Sequence, residues 1–105
     1  MYDAAVLAIA ATDKAVKTVA DAALAAGYTL LITSDHGNAE QMLSPEGTPH
    51  TAHTTNPVPC IITPSKNGDE WKLSGEEGAL CDVAPTILTI MVSLDSTCRV
   101  ERNVI

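Results

Sequence analysis

Phenylalanine is absent from this chain, and Tyr2, Tyr28 and Trp71 are its only aromatic residues. A core must therefore be built from Ala, Val, Ile and Leu. Basic residues are few, six Lys and Arg against thirteen Asp and Glu, for a formal net charge of −7. Phosphate-backbone binding needs clustered cations, so the balance excludes a nucleic-acid surface and reads as solubilising charge. If the substrate is anionic, the same acidity implies that cations mediate the contact. Cys60, Cys81 and Cys98 are odd in number and contain no CxxC spacing, which indicates neither a disulfide framework nor a thiolate zinc site and fits a reducing compartment. Long apolar runs are missing too. The longest, Ala4 to Ala11, is too short to span a bilayer, and no basic region precedes it, so neither a membrane partner nor a signal is expected and the location reads as cytosolic.

What is present fits one folded soluble domain at most, with 46% apolar residues in 105 and no biased tract. From Tyr2 to Ala26 the chain is rich in Ala. At 100° per residue, Val6, Ile9, Val16, Ala20, Ala23 and Leu24 share one arc, with Asp3, Lys14, Lys17 and Asp21 opposite. That pattern predicts an amphipathic helix, supported by the Lys17–Asp21 i,i+4 pair and closed by Gly27 as a left-handed cap. Leu7 falls on the polar side, where only a contact outside this chain would cover it. Asp13, at the edge of the arc, is expected to face solvent or pair with Lys17.

Tyr28 to Thr33 is a short apolar, β-branched run without alternation, as in a strand covered on both faces of an α/β sheet. It ends at Ser34-Asp35-His36-Gly37, and ligands in open α/β sheets gather beyond the carboxyl ends of strands. Asn38 to Asn56 reads as a long functional loop, with Gly37 allowing a backbone turn. Pro57 to Thr63 is a second strand whose prolines confine it to an edge or an entry position. Turns are expected at Pro64 to Asp69 and Ser74 to Gly78, with a short strand or hairpin arm at Trp71 to Leu73 between them. A helix starts at Asp82 as N-cap with Pro85 in its first turn. After Met91 the pattern follows neither period, so residues 92–105 form an unassigned tail behind a portion spanning 1–91.

All three histidines, His36, His50 and His53, lie between Thr33 and Pro59. Asp35, His36 and His53 supply one carboxylate and two imidazoles, a donor set that suits a divalent cation acting on phosphate esters. Adjacent side chains at a strand end point apart, so Asp35 and His36 share an ion only if the backbone bends at Gly37. An isolated Asp-His pair is more often a hydrogen-bonded surface pair than a ligand pair. His50, beside the turn Gly47-Thr48-Pro49, reads as a surface histidine or a group behind the ligands.

Thr33-Ser34-Asp35-His36-Gly37-Asn38-Ala39-Glu40, followed by Thr51-Ala52-His53-Thr54-Thr55-Asn56-Pro57-Val58-Pro59, closely resembles the C-terminal part of cofactor-independent phosphoglycerate mutases, in the alkaline phosphatase superfamily. The resemblance runs from about Tyr2 through Met91. Asp-His-Gly with a later His is shared across that superfamily, whereas Asn38-Ala39-Glu40 and the His53 to Pro59 run are more specific.

The resemblance implies the C-terminal part of a three-layer α/β phosphatase-like domain. It implies an enzyme with two divalent metals, Mn²⁺ ahead of Mg²⁺, that interconverts 3-phosphoglycerate and 2-phosphoglycerate in glycolysis through a phosphoserine. By the same resemblance Asp35 and His36 match ligands of one metal and His53 a ligand of the other. The nucleophilic serine, the remaining ligands and the phosphoglycerate-gripping domain are expected upstream, in the missing N-terminal part of the same enzyme. Ser34 is not that nucleophile, and no catalytic residue is assigned in this chain, which alone is expected to be inactive. Two other readings stand beside this one: a different enzyme of the superfamily, such as a phosphopentomutase or a phosphonate hydrolase, and a non-catalytic remnant acting as a binding or assembly module.

Overall fold

The computed structural model describes residues 2–64 and 77–94. The expected turns at Pro64 to Asp69 and Ser74 to Gly78, the arm at Trp71 to Leu73 and most of the tail lie largely or wholly outside the described residues. The chain divides into two units, Met1–Gly68 and Asp69–Ile105, each described by itself.

The first unit opens with α1, Tyr2–Ala25. Nine alanines between Ala4 and Ala23 favour the helical backbone, since Ala loses no side-chain entropy on helix formation. Gly27 ends it at φ 85°, with Tyr28 N–H donating to Ala23 C=O at 2.9 Å and Gly27 N–H to Leu24 C=O at 3.0 Å. This is the double bond of a Schellman cap, at the residue where the sequence placed it. Lys17 pairs with Asp21, while Asp13 is exposed. Within its unit the apolar arc is not covered: α1 buries no residue and contacts no strand. On the arc Ile9 is 54% exposed and Val6 49%, and on the polar side Leu7 is 72% exposed.

Two strands follow, β1 at Leu31–Ile32 and β2 at Ile61–Ile62, shorter than the two runs that contain them. They pair antiparallel, Leu31 with Ile62 and Ile32 with Ile61, and β1 is only half-buried. The expectation of a strand covered on both faces is corrected here. A strand without polar alternation needs a layer on each side, and within this unit α1 lies against neither strand. The pairing continues on either side through other bonds. Thr63 N–H donates to Leu30 C=O at 2.9 Å, and Leu30 N–H donates to the Thr63 hydroxyl at 2.8 Å. The Thr33 hydroxyl reaches Pro59 C=O at 2.9 Å, and Gly37 bridges Thr54. Leu30 to Thr63 is therefore one long, irregular hairpin rather than two strands joined by a free loop. Its tip is a nested turn, in which Leu43 bridges Pro49, His50 N–H donates to Met42 C=O at 2.9 Å, and Gly47 sits at φ 79°.

In the second unit a 3-10 turn, Leu80–Asp82, leads into α2, Val83–Leu94, which runs past Met91 into the segment left unassigned from sequence. Asp82 precedes the first residue of α2 as expected, but its carboxylate accepts Ala79 N–H at 2.7 Å, so it caps the 3-10 turn rather than α2 itself. Pro85 lies in the first turn, where its missing N–H has no helical acceptor. Thr86 and Ile90, one turn apart on a single face, are buried, at 5% and 6% exposure. Among the described residues no helix is long and apolar enough to cross a membrane.

Candidate metal centre

The arms of the hairpin bring His36 and His53 together. Gly37 and Thr54 exchange both backbone bonds, Thr54 N–H to Gly37 C=O at 2.9 Å and Gly37 N–H to Thr54 C=O at 3.3 Å. The residue before each then stands beside its counterpart. Their imidazoles stack, centroids 3.5 Å apart and planes 11° from parallel.

Asp35 and His36 lie in a bend that Ser34 holds. The Ser34 hydroxyl donates to His36 C=O at 2.8 Å and accepts His36 N–H at 3.4 Å. The bend brings Asp35 Oδ1 to 3.5 Å from His36 Nε2. His36 Nδ1 lies 3.0 Å from Gly37 C=O, an acceptor only, so Nδ1 carries the proton in that bond. The Nε2 lone pair is left on the side of Asp35, in the pattern by which a ligating His is held through its other nitrogen.

The backbone bend that the sequence placed at Gly37 lies one and two residues earlier. Gly37 is not among the positive-φ glycines, so its requirement for glycine is spatial rather than conformational. A Cβ there would run into Glu40 Oε1 and Thr54 Oγ1. These two side chains hydrogen-bond to each other directly over the Gly37 backbone.

Two donors on one ion at about 2.0–2.2 Å stand roughly 3–3.5 Å from each other. The 3.5 Å gap between Asp35 Oδ1 and His36 Nε2 therefore fits a shared divalent cation. His36 and His53 do not fit one ion. An imidazole lone pair lies in its ring plane, and two nearly parallel planes 3.5 Å apart cannot both aim at a point about 2 Å from each ring. Among the described residues no group of three His, Cys, Asp or Glu side chains forms a single metal-binding set. Asp35, with a side chain 80% exposed, is open to groups from outside the chain.

His50 is half-buried at the hairpin tip, so it is not an exposed surface histidine. Its Nδ1 is shut off from solvent without a hydrogen-bond partner among the described residues.

Glu40, Thr54 and Asn56 were given no chemical role by the sequence. Their signal was their place inside the two runs that carry the family resemblance. Glu40 is held well below the carboxylate range, from 4.5 to about 2, first by the Thr54 hydroxyl and then by backbone bonds, including Asn38 N–H at 2.7 Å, and the Asn56 amide at 3.2 Å.

The sequence profile of the metalloenzyme superfamily matches residues 1–94. The chain belongs to that superfamily. It is also 48% identical over 91 residues to a 2,3-bisphosphoglycerate-independent phosphoglycerate mutase of Brugia malayi, covering 87% of this chain and 18% of the relative. The enzymes of that name from Flavobacterium johnsoniae, at 48% over 91 residues, and Parasynechococcus marenigrum, at 48% over 99, share 87% of this chain and 17% and 18% of their own lengths. The chain thus spans less than a fifth of the curated relatives it matches. The superfamily match supports divalent-metal use in general and a mixed α/β fold.

Proposed function

We propose that this chain is part of a 2,3-bisphosphoglycerate-independent phosphoglycerate mutase, carrying one wall of its two-metal phosphoryl-transfer site. Asp35 and His36 hold one ion and His53 the other. The observation that carries this reading is the stack of His36 on His53, which separates the two lone-pair planes while the Asp35 carboxylate joins the first. When bound, two divalent cations lower the pKa of a serine hydroxyl and neutralise the phosphoryl group passing between the two oxygens of phosphoglycerate. This chain's part is to orient the donors. Ser34 holds the bend and Gly37 C=O fixes the His36 tautomer, which leaves His36 Nε2 on the side of Asp35.

The remaining ligands, the nucleophilic serine and the substrate-gripping groups belong, on this reading, to the rest of the enzyme. Ser34 is not available as nucleophile, its hydroxyl proton being engaged by His36 C=O. The uncovered apolar residues of α1 accord with a helix whose neighbouring layer lies in that remainder, within a three-layer phosphatase-like domain to which residues 1–91 contribute. Oxygen and imidazole donors without thiolate suit Mn²⁺ or Mg²⁺, with Mn²⁺ favoured by the two imidazoles. The cytosol, where glycolysis runs, is the location that goes with this activity.

A chimera tests the proposal. Residues 2–91 replace the matching segment of the Brugia malayi enzyme, and turnover is followed with 3-phosphoglycerate and, separately, a phosphopentose. The expected result is Mn²⁺-dependent turnover of phosphoglycerate, abolished by His53→Ala, with none from the isolated chain. Turnover by the isolated chain, or a folded chimera active only on phosphopentose, overturns it.

A further inference from the structure

Glu40 stands between the arms of the hairpin, outside the ligand set. Its Oε2 accepts Asn38 N–H at 2.7 Å, while Oε1 accepts the Thr54 hydroxyl and the Asn56 side-chain amide, the latter at 3.2 Å. Thr54 Oγ1 in turn accepts Asn56 N–H at 3.3 Å. One carboxylate thus binds the segment just after His36 and the segment just after His53. Charge-assisted bonds of this kind are stronger than neutral ones. The Glu40–Thr54 bond passes over Gly37, whose missing Cβ leaves the space the two side chains occupy.

We propose that Glu40 is the positioning residue of this centre: its carboxylate clamps the Gly37–Asn38 arm to the Thr54–Asn56 arm and thereby sets the face-to-face spacing of His36 and His53. Its three hydrogen bonds run to the two arms, and among the described residues it joins no set of three metal-binding side chains, so its part is positioning. The depressed ionisation of Glu40 agrees with a carboxylate that works as an anion throughout the neutral range. The clamp's consequence for metal binding rests on the ligand reading proposed above, whereas its effect on the stack does not.

The test separates the two. In the metal-free 105-residue chain at pH 7.5, the ring-proton NMR shifts of His36 and His53 report their mutual stacking. Glu40→Ala and Thr54→Val are each expected to remove the stacking shift, and the double variant to do no more than either alone, because residues acting through one network are non-additive. Glu40→Gln keeps an oxygen for Thr54 and Asn56 and is expected to restore most of it. The Thr63 amide, bonded to Leu30 C=O at the base of the same hairpin, serves as the folding control, its slow hydrogen exchange being expected to persist in every variant. Retention of the stack in Glu40→Ala, or its loss in Glu40→Gln to the same degree, overturns the proposal. Mn²⁺ is then titrated into each variant, with ring-proton broadening as readout. A loss of affinity of about tenfold or more in Glu40→Ala, the usual effect of removing a group behind a ligand, supports the clamp as a metal-site device. Absence of broadening in the unaltered chain overturns the ligand reading while the stacking result still decides the role of Glu40.

Discussion

In α1, 24 residues are held by backbone bonds within the helix and none is buried. The hairpin from Leu30 to Thr63 has only four residues in regular strands, yet side chains tie it at bend after bend: Thr63 to Leu30, Thr33 to Pro59, Ser34 to His36 and Glu40 to Thr54. The first region rests on propensity and the second on a few long-range contacts. A helix of good formers needs only its own residues, although without packing it is marginal in water. A hairpin that presents two imidazoles at a set distance cannot rest on local preference alone, because its register depends on which residues bond across it.

The largest expected effect tests the independence of the two regions. Ala11→Pro should cost α1 about 3 kcal/mol and sharply reduce far-UV helical ellipticity, with the His36–His53 ring shifts unchanged. Loss of the stack would break the comparison by showing that the hairpin leans on the helix. Next is Gly37→Ala, which places a methyl against Glu40 Oε1 and Thr54 Oγ1. The methyl displaces the Glu40–Thr54 bond rather than the backbone, and the expected sign is faster hydrogen exchange at the Thr54 amide, with α1 unaffected.

A pH titration sharpens the comparison further. The Glu40 pKa is depressed, so its contribution is fully present above the ordinary carboxylate value and is lost only as pH falls through about 2. The Glu40 carboxyl carbon should therefore titrate near 2, and in Thr54→Val, which removes the leading cause, move back toward 4.5. No such shift is expected along α1. The smallest effect lies there. Lys17→Gln removes the exposed pair with Asp21 at nearly equal helix propensity and should cost about 0.3–0.5 kcal/mol in helicity, an effect that 1 M salt erases.

How far each region could be read in advance follows the same division. Helix α1 appeared within a residue of its expected end and Gly27 in the expected role, because Ala content, the 3.6-residue period and a left-handed cap are local properties. Asp35, His36 and His53 stood out by residue type and by the family resemblance. The strands were read as too long and too enclosed. An unbroken apolar run states how much cover a strand wants, not which other element provides it. The bend was placed at Gly37 because glycine ordinarily marks positive φ, whereas here it marks room for a hydrogen bond passing overhead.

By itself, then, the amino-acid sequence determined the helices, the Gly27 cap, the chemical type of the candidate ligands and, through the residue runs around them, the superfamily. Only the tertiary structure decided that Gly37 pairs with Thr54, that Asp35 swings to the Nε2 side of His36, and that the two imidazoles stack in parallel planes. The reason is the range of the forces involved. Helix and cap depend on torsions and bonds within a few residues, whereas the centre depends on bonds between residues fourteen to seventeen positions apart, whose register is set when Glu40, Thr54 and Asn56 close over a glycine.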